Sequence, residues 1–232
     1  MGTITTVNIN NLFWLGRYTE RVFSTLNAFF RYADKMLDSS EAAYKKYLEY
    51  ISVPDIYTGV EDFLDRYVFD SGNPDSIRSN LNYALGNGIV LREEIKTPSL
   101  SYLQMALDRL DSCRGTDKLR YDMLPVRDAI YAFWGSVDSN MTNTEAMRMI
   151  HVGKSVERVD MYMRLHYPQE DISAELSNLL KHISRYAENG SRLVNKEAFE
   201  YLKNADIFAD IPKAINNIES LIEVNFLEEA AI

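Results

Sequence analysis

Cysteine is almost absent from this chain of 232 residues: Cys113 stands alone, which excludes an internal disulfide framework and a zinc ribbon. In a chain without an export signal, so few thiols fit a reducing cytoplasm. Basic residues are also short, with 25 Lys and Arg against 34 Asp and Glu and a formal net charge of −9. A binder of the phosphate backbone ordinarily presents a basic face, so nucleic acid is not an expected partner. No segment approaches the roughly 20 apolar residues of a membrane span, and the opening MGTITTVNIN has neither a basic leader nor an apolar run. The expectation is a soluble cytoplasmic protein without membrane association. There is no GxxxxGK[ST] phosphate loop and no Gly-rich cradle after a strand, so any ATP would be bound by a partner. None of His151, His166 and His182 has a Glu three residues before it, which removes the Glu-x-x-His pairs used by two-metal carboxylate sites in helical proteins. No metal and no cofactor is expected.

What the chain has in quantity is helical period. From about Asn8 to Leu37, the residues Leu15, Tyr18, Val22, Leu26, Phe29, Ala33 and Leu37 repeat every 3.6 positions and make one apolar face. Phe13, Gly16, Arg17 and Glu20 fall opposite, and Trp14 with Arg21 lies on a flank, so apolar bulk on more than one side marks a central helix. The stretch 39–70 reads as a loop or short helix pair broken at Pro54, in which Tyr44, Tyr47 and Tyr50 either pack inward or line a groove. Asn73-Pro74-Asp75 is a cap, first-turn proline and first-turn acid, opening a helix to about Lys96 in which Gly86 and Gly88 imply a kink, a break or close packing. Thr97-Pro98 repeats the signal and opens a helix to about Ser112. Further helices are expected from about Tyr121 to Ser139 and, behind the capping box Thr142-x-x-Glu145, from about Asn143 to His166. The last three run from Ser173 to Glu188 with Asn189-Gly190 as cap, from Lys196 to Asn204, and from Pro212 to Leu227. No alternating pattern competes, so the fold class is all-α, an antiparallel helical bundle in one domain over 1–232.

One string occurs twice. WLGRYTERV, Trp14 to Val22, returns as HVGKSVERV, His151 to Val159, and both read Gly-(Arg/Lys)-x-x-Glu-Arg-Val. The offset from Gly16 to Gly153 is 153 − 16 = 137 positions, which predicts two equivalent helices, an internal two-fold repeat, within the domain. Arg17 and Arg21 are four apart, as are Lys154 and Arg158, and like charges at that spacing oppose a helix by a few tenths of a kcal/mol unless an anion intervenes. Glu20 and Glu157 give each helix a local answer; if the two helices pack together, Glu20 can meet Arg158 and Glu157 can meet Arg21. Gly16 and Gly153 each carry a penalty of about 1 kcal/mol in mid-helix, which a close backbone approach offsets.

Three roles stay open for this constellation. Arg17, Glu20, Arg21, Lys154, Glu157 and Arg158 can form an ion-pair centre joining the repeats. The four cations can instead grip a carboxylate, a peptide terminus or a phosphate, with the glutamates orienting them. Or Glu20 or Glu157 can act as a general base. Cys113, between Ser112 and Arg114, shows no nucleophile signature.

The stretch NLFWLGRYTERV, the stretch NPDSIRSNLNYAL with Asn87 and Arg92 beyond it, and the stretch HVGKSVERVDMYMRL together resemble the bacterial alpha-E domain family of helical proteins. The chain differs from that family's pattern at Leu85-Gly86-Asn87, where the family has Arg-Glu-Asn, at Lys154, where it has arginine, and at Ile211-Pro212-Lys213-Ala214, where it has Phe-Pro-Arg-Ser. A tryptophan usual before the second Gly-Arg is missing near 146–149. The resemblance implies an accessory or binding module acting with an ATP-grasp-type ligase and a transglutaminase-like peptidase in peptide or amide bond formation or modification. The alternatives are an enzyme in its own right centred on the Glu-Arg pairs, or a structural oligomerisation module.

Overall fold

The computed structural model describes residues 6–39, 41–189 and 191–223, with side chains over 8–31, 42–189 and 191–223. Among these residues it is all-helical, with no strand and one isolated antiparallel bridge between Val194 and Ile222. The expected Gly190 cap and the side chains of Ala33 and Leu37 lie outside the described residues, and the last helix, expected to run from Pro212 to Leu227, spans only Ile211–Glu219 and is capped at Ser220. The chain gathers into two compact units, one made of the residues up to Arg17 together with those from Asn143 onward, the other of Tyr18–Thr142. Helix α1 (Thr6–Ser39) contributes its first turns to the one and the remainder to the other.

The unit Tyr18–Thr142 continues with α2 (Glu41–Ile51), α3 (Val60–Phe69), α4 (Ile77–Val90), α5 (Arg92–Ser112), the single turn α6 (Leu119–Asp122) and α7 (Leu124–Asn140). Helix α5 packs along both α4 and α7. Tyr44 and Tyr47 belong to the core: the Phe63 ring stacks between Tyr44 at 5.1 Å and Tyr67 at 5.0 Å, and the Tyr47 and Tyr67 hydroxyls share a hydrogen bond of 3.1 Å. Four rings in offset and edge contact give this small layer much of its apolar burial.

Helix α4 starts later than Asn73-Pro74 suggests. Ser76 is the cap, its hydroxyl accepting from the Ser79 amide at 3.0 Å, while Asn73 accepts from the Asp75 amide at 3.0 Å and donates to the Tyr57 hydroxyl at 2.9 Å. The proline sits in a turn closed by the Ser76 amide on the Asn73 carbonyl, so the first-turn geometry passes to the next capable side chain. Gly86 and Gly88 do not break the helix; a Cβ at Gly88 would stand 3.1 Å from Leu100 and 3.2 Å from Leu103, so it serves close packing on α5. The helix expected to reach Lys96 ends instead at Val90, with Leu91 between α4 and α5, and a second break falls inside α5 at Lys96, held at φ 67°, immediately before Thr97-Pro98.

The other unit holds the start of α1, then α8 (Thr144–Arg164), α9 (Gln169–Glu188), α10 (Lys196–Asn204) and α11 (Ile211–Glu219). Helix α8 packs on α9 and α11, and α10 bridges the same two. Its cap is Asn143, whose side-chain oxygen accepts from the Glu145 and Ala146 amides, in place of the Thr142 expected from the capping box. The Glu145 carboxylate accepts instead from Arg148 at 2.9 Å and from the Tyr186 hydroxyl of α9 at 3.0 Å. Helix α9 begins four residues before the expected Ser173, directly after Pro168, which stands at its cap position.

Candidate functional site

The repeated string places Gly16 of α1 and Gly153 of α8 in direct contact. A Cβ built on Gly16 would lie 2.1 Å from the Ile150 carbonyl oxygen and 2.8 Å from the Lys154 nitrogen. One built on Gly153 would lie 2.0 Å from the Phe13 carbonyl oxygen and 3.2 Å from the Arg17 nitrogen. The neighbours are backbone atoms, which cannot swing aside, so only glycine fits at either position. The mid-helix glycine penalty is offset here by two helices touching through their main chains.

One turn along from this contact, Arg17 Nε donates to Glu157 Oε2 at 2.8 Å. Both residues are buried, and Glu157 exposes 0% of its surface. The Arg17 guanidinium also lies 5.3 Å from the Trp14 ring and 5.9 Å from Phe13, residues placed on its own helix one turn earlier. Asp160, three residues past Glu157, is buried as well and takes Arg164 Nε at 2.9 and 3.0 Å. Arg164 then donates through Nη2 to Glu219 of α11 at 2.7 Å. Arg158 donates to Glu175 of α9 at 3.2 Å, and Lys154 is partly exposed on α8. Glu20 and Arg21 belong to the Tyr18–Thr142 unit, where Glu20 exposes 0% and accepts from the Ser24 hydroxyl at 3.2 Å.

Burial pushes the Asp160 carboxyl up from 3.8 to about 6, the nearby Glu157 charge adds to the rise, and Arg164 and Arg17 oppose it. A carboxyl whose folded value exceeds its unfolded one stabilises the native state while protonated. That stability is whole below about pH 4 and is lost as the pH rises through about 6. Asp160→Asn is expected to remove this component. Between pH 4 and 7 the wild type should lose about 2 to 3 kcal/mol relative to the variant, read from melting temperatures across the range.

What this arrangement can do chemically is limited by its closure. A general base must reach its substrate within hydrogen-bond distance, and neither Glu157 nor Glu20 exposes any surface. His182, in ring contact with His151 at 5.9 Å, has its pKa lowered by burial and then by His151. Cys113 in the other unit is buried, and its thiol, with one hydrogen to donate, lies 3.1 Å from both the Arg109 and the Asp122 carbonyl oxygens. Burial and the Asp122 charge push that thiol up, the opposite of what activates a nucleophile. Among the described residues, no three His, Cys, Asp or Glu side chains come together as a metal would require.

Residues 8–201 match the model of the alpha-E domain, described as a predicted alpha-helical domain with a conserved ER motif. The chain belongs to the alpha-E family. No curated protein and no solved structure matches it. The ER dipeptide of the alpha-E description occurs here twice, as Glu20-Arg21 and Glu157-Arg158, and both glutamates are buried.

Sequence reasoning on this alpha-E chain missed Asp160, Arg164 and Glu175. Asp160 and Arg164 are four apart on one helix, a spacing at which opposite charges meet, so the pair was legible. Glu175 carries no such signal, because it reaches Arg158 from another helix. Within this unit Arg17 is a partner of Glu157.

Proposed function

We propose that this alpha-E chain is a binding module without a reaction of its own, acting beside an ATP-grasp-type ligase and a transglutaminase-like peptidase in the formation or modification of peptide or amide bonds. The closure of the motif centre carries the first half of this reading. Glu157 exposes no surface and is held by Arg17 across a backbone contact that excludes even a methyl group. An anion grip would need open cations, whereas Arg17 is met by Glu157 and Arg158 by Glu175. The centre therefore joins helices and leaves recognition to other surfaces. The partnership rests on the family resemblance of the three motif stretches.

On the same reading, α1 and α8 are the equivalent helices of an internal repeat in an antiparallel bundle. Their matched burial supports this: Gly16, Thr19, Glu20 and Val22 are buried, as are Gly153, Val156, Glu157 and Val159 at the same offset.

Tagged chain expressed in its native host is expected to recover a ligase and a peptidase of these two classes; recovery of neither sinks the partnership. The purified chain alone should neither form nor hydrolyse amide bonds. Turnover that disappears in Glu157→Gln at an unchanged melting temperature would make the chain an enzyme.

A further inference from the structure

Within the Tyr18–Thr142 unit, a groove of about 970 Å³ opens between α1, α3, α6 and α7. This is the size of a site for a small organic ligand. Its walls are apolar, with Phe30 and Phe69 buried, Leu64 and Leu124 half-buried, and Tyr121 standing 71% exposed at the rim. The exposed rim carries both signs, Glu61 and Asp117 with Lys118 and Arg120, so it has no net preference for charge.

Arg127, in the wall, is different. Its guanidinium lies 5.4 Å from the Phe30 ring centroid, and its Nε is shielded from solvent without a hydrogen-bond partner. Its ion pair with Asp128 is long, 3.6 Å from Nη2, and Asp128 is itself 66% exposed. Two other arginines of this unit are fully forked on carboxylates: Arg78 on Asp111 at 2.7 and 3.1 Å, and Arg114 on Asp65 at 3.0 and 2.8 Å. Asp65, the acid lining the groove nearest in sequence to Leu64, is thus already taken by Arg114. The terminal guanidinium nitrogens, on a side chain 29% exposed and held only by that long pair, stand beside an apolar hollow and match the two oxygens of a carboxylate.

We propose that this groove binds an organic acid with an apolar body, the carboxylate forked on Arg127 and the hydrocarbon or aromatic part lying on Phe30, Phe69 and Leu124. Tyr121 covers the bound molecule from the rim. The chemistry is shared by a free fatty or aromatic acid and by a peptide ending in an apolar residue. The site uses none of the Gly-(Arg/Lys)-x-x-Glu-Arg residues and goes beyond the function proposed above.

Calorimetric titration of the full chain with octanoate, with N-acetylphenylalanine, and with the neutral amide of each tests this. At least one acid should bind about tenfold or more tightly than its amide, because a charge-assisted fork is lost in the amide. Octanoate as the better ligand identifies a lipid-like acid; N-acetylphenylalanine identifies a peptide terminus. Arg127→Gln should erase the preference for acid over amide, and Arg127→Lys should restore part of it, since lysine keeps the charge without the fork. Tyr121→Ala, at an exposed position, should weaken acid and amide alike. Equal affinities for acid and amide, a preference that survives in Arg127→Gln, or no saturable binding of either acid at millimolar concentration would each overturn the proposal. The comparison of acid with amide needs no variant, so it decides even if Arg127→Gln fails to fold.

Discussion

Gly153→Ala should unfold or severely loosen the unit that contains it. Alanine is ordinarily favoured over glycine in a helix by about 1 kcal/mol, so the substitution would stabilise an open helix. Here the new methyl would stand 2.0 Å from the Phe13 carbonyl oxygen, and the equivalent change at Gly16 would stand 2.1 Å from the Ile150 carbonyl oxygen. Overpacking against a mobile side chain costs about 1 to 3 kcal/mol, and rigid backbone takes the upper end or beyond. A loss of about 3 kcal/mol or more is expected, which for a chain of this size lowers the melting temperature by roughly 10 °C. Gly86→Ala and Gly135→Ala are internal controls, because a Cβ at either meets nothing within 4 Å. They should leave stability unchanged or raise it slightly. Gly16→Ala and Gly153→Ala combined should lose less than the sum of the two, since both wedge open one contact.

Breaking the Arg17 and Glu157 pair should have an effect of similar size for a different reason. Glu157→Ala leaves the Arg17 guanidinium buried beside Phe13 and Trp14 without its carboxylate, and Arg17→Ala takes a charged donor from a carboxylate that exposes no surface. Removal of one partner from a buried ion pair costs about 3 to 5 kcal/mol. The double replacement Arg17→Met with Glu157→Leu should recover part of that loss, because both charges of the pair are removed together. Chemical denaturation of the two single variants and the double variant forms a cycle that isolates the coupling. Single variants that melt like the wild type would remove this pair from the structure's supports.

The helical class and most helix positions were legible because period and end signals are local. Lys196–Asn204 matches its expected bounds, Asn195 accepting from the Glu197 and Ala198 amides at its start. Two of the errors at helix starts share one cause. Where two capping side chains stand within a few residues, as with Asn73 and Ser76 or Thr142 and Asn143, the backbone turn selects between them, and that turn depends on contacts such as Asn73 with Tyr57. The motif centre was legible as a face. Periodicity shows that Gly16 and Arg17 share a side of α1, but which carboxylate Arg17 reaches depends on where another helix crosses it. Asp160 illustrates the remaining gap, since one acid in a string of apolar residues gives no sign that it stays buried beside Glu157. The groove at Arg127 was illegible for the same reason: its walls come from α1, α3 and the adjoining α6 and α7, three stretches far apart in sequence.

The glycine contact also sets an order of events during folding. Its two halves are 153 − 16 = 137 residues apart, so forming it closes one of the longest loops the chain contains. As the chain leaves the ribosome, residues 18–142 emerge complete while Phe13, Trp14 and Arg17 still wait for α8. The unit that holds them is discontinuous, and its assembly is the late, slow step that contacts of long sequence separation impose.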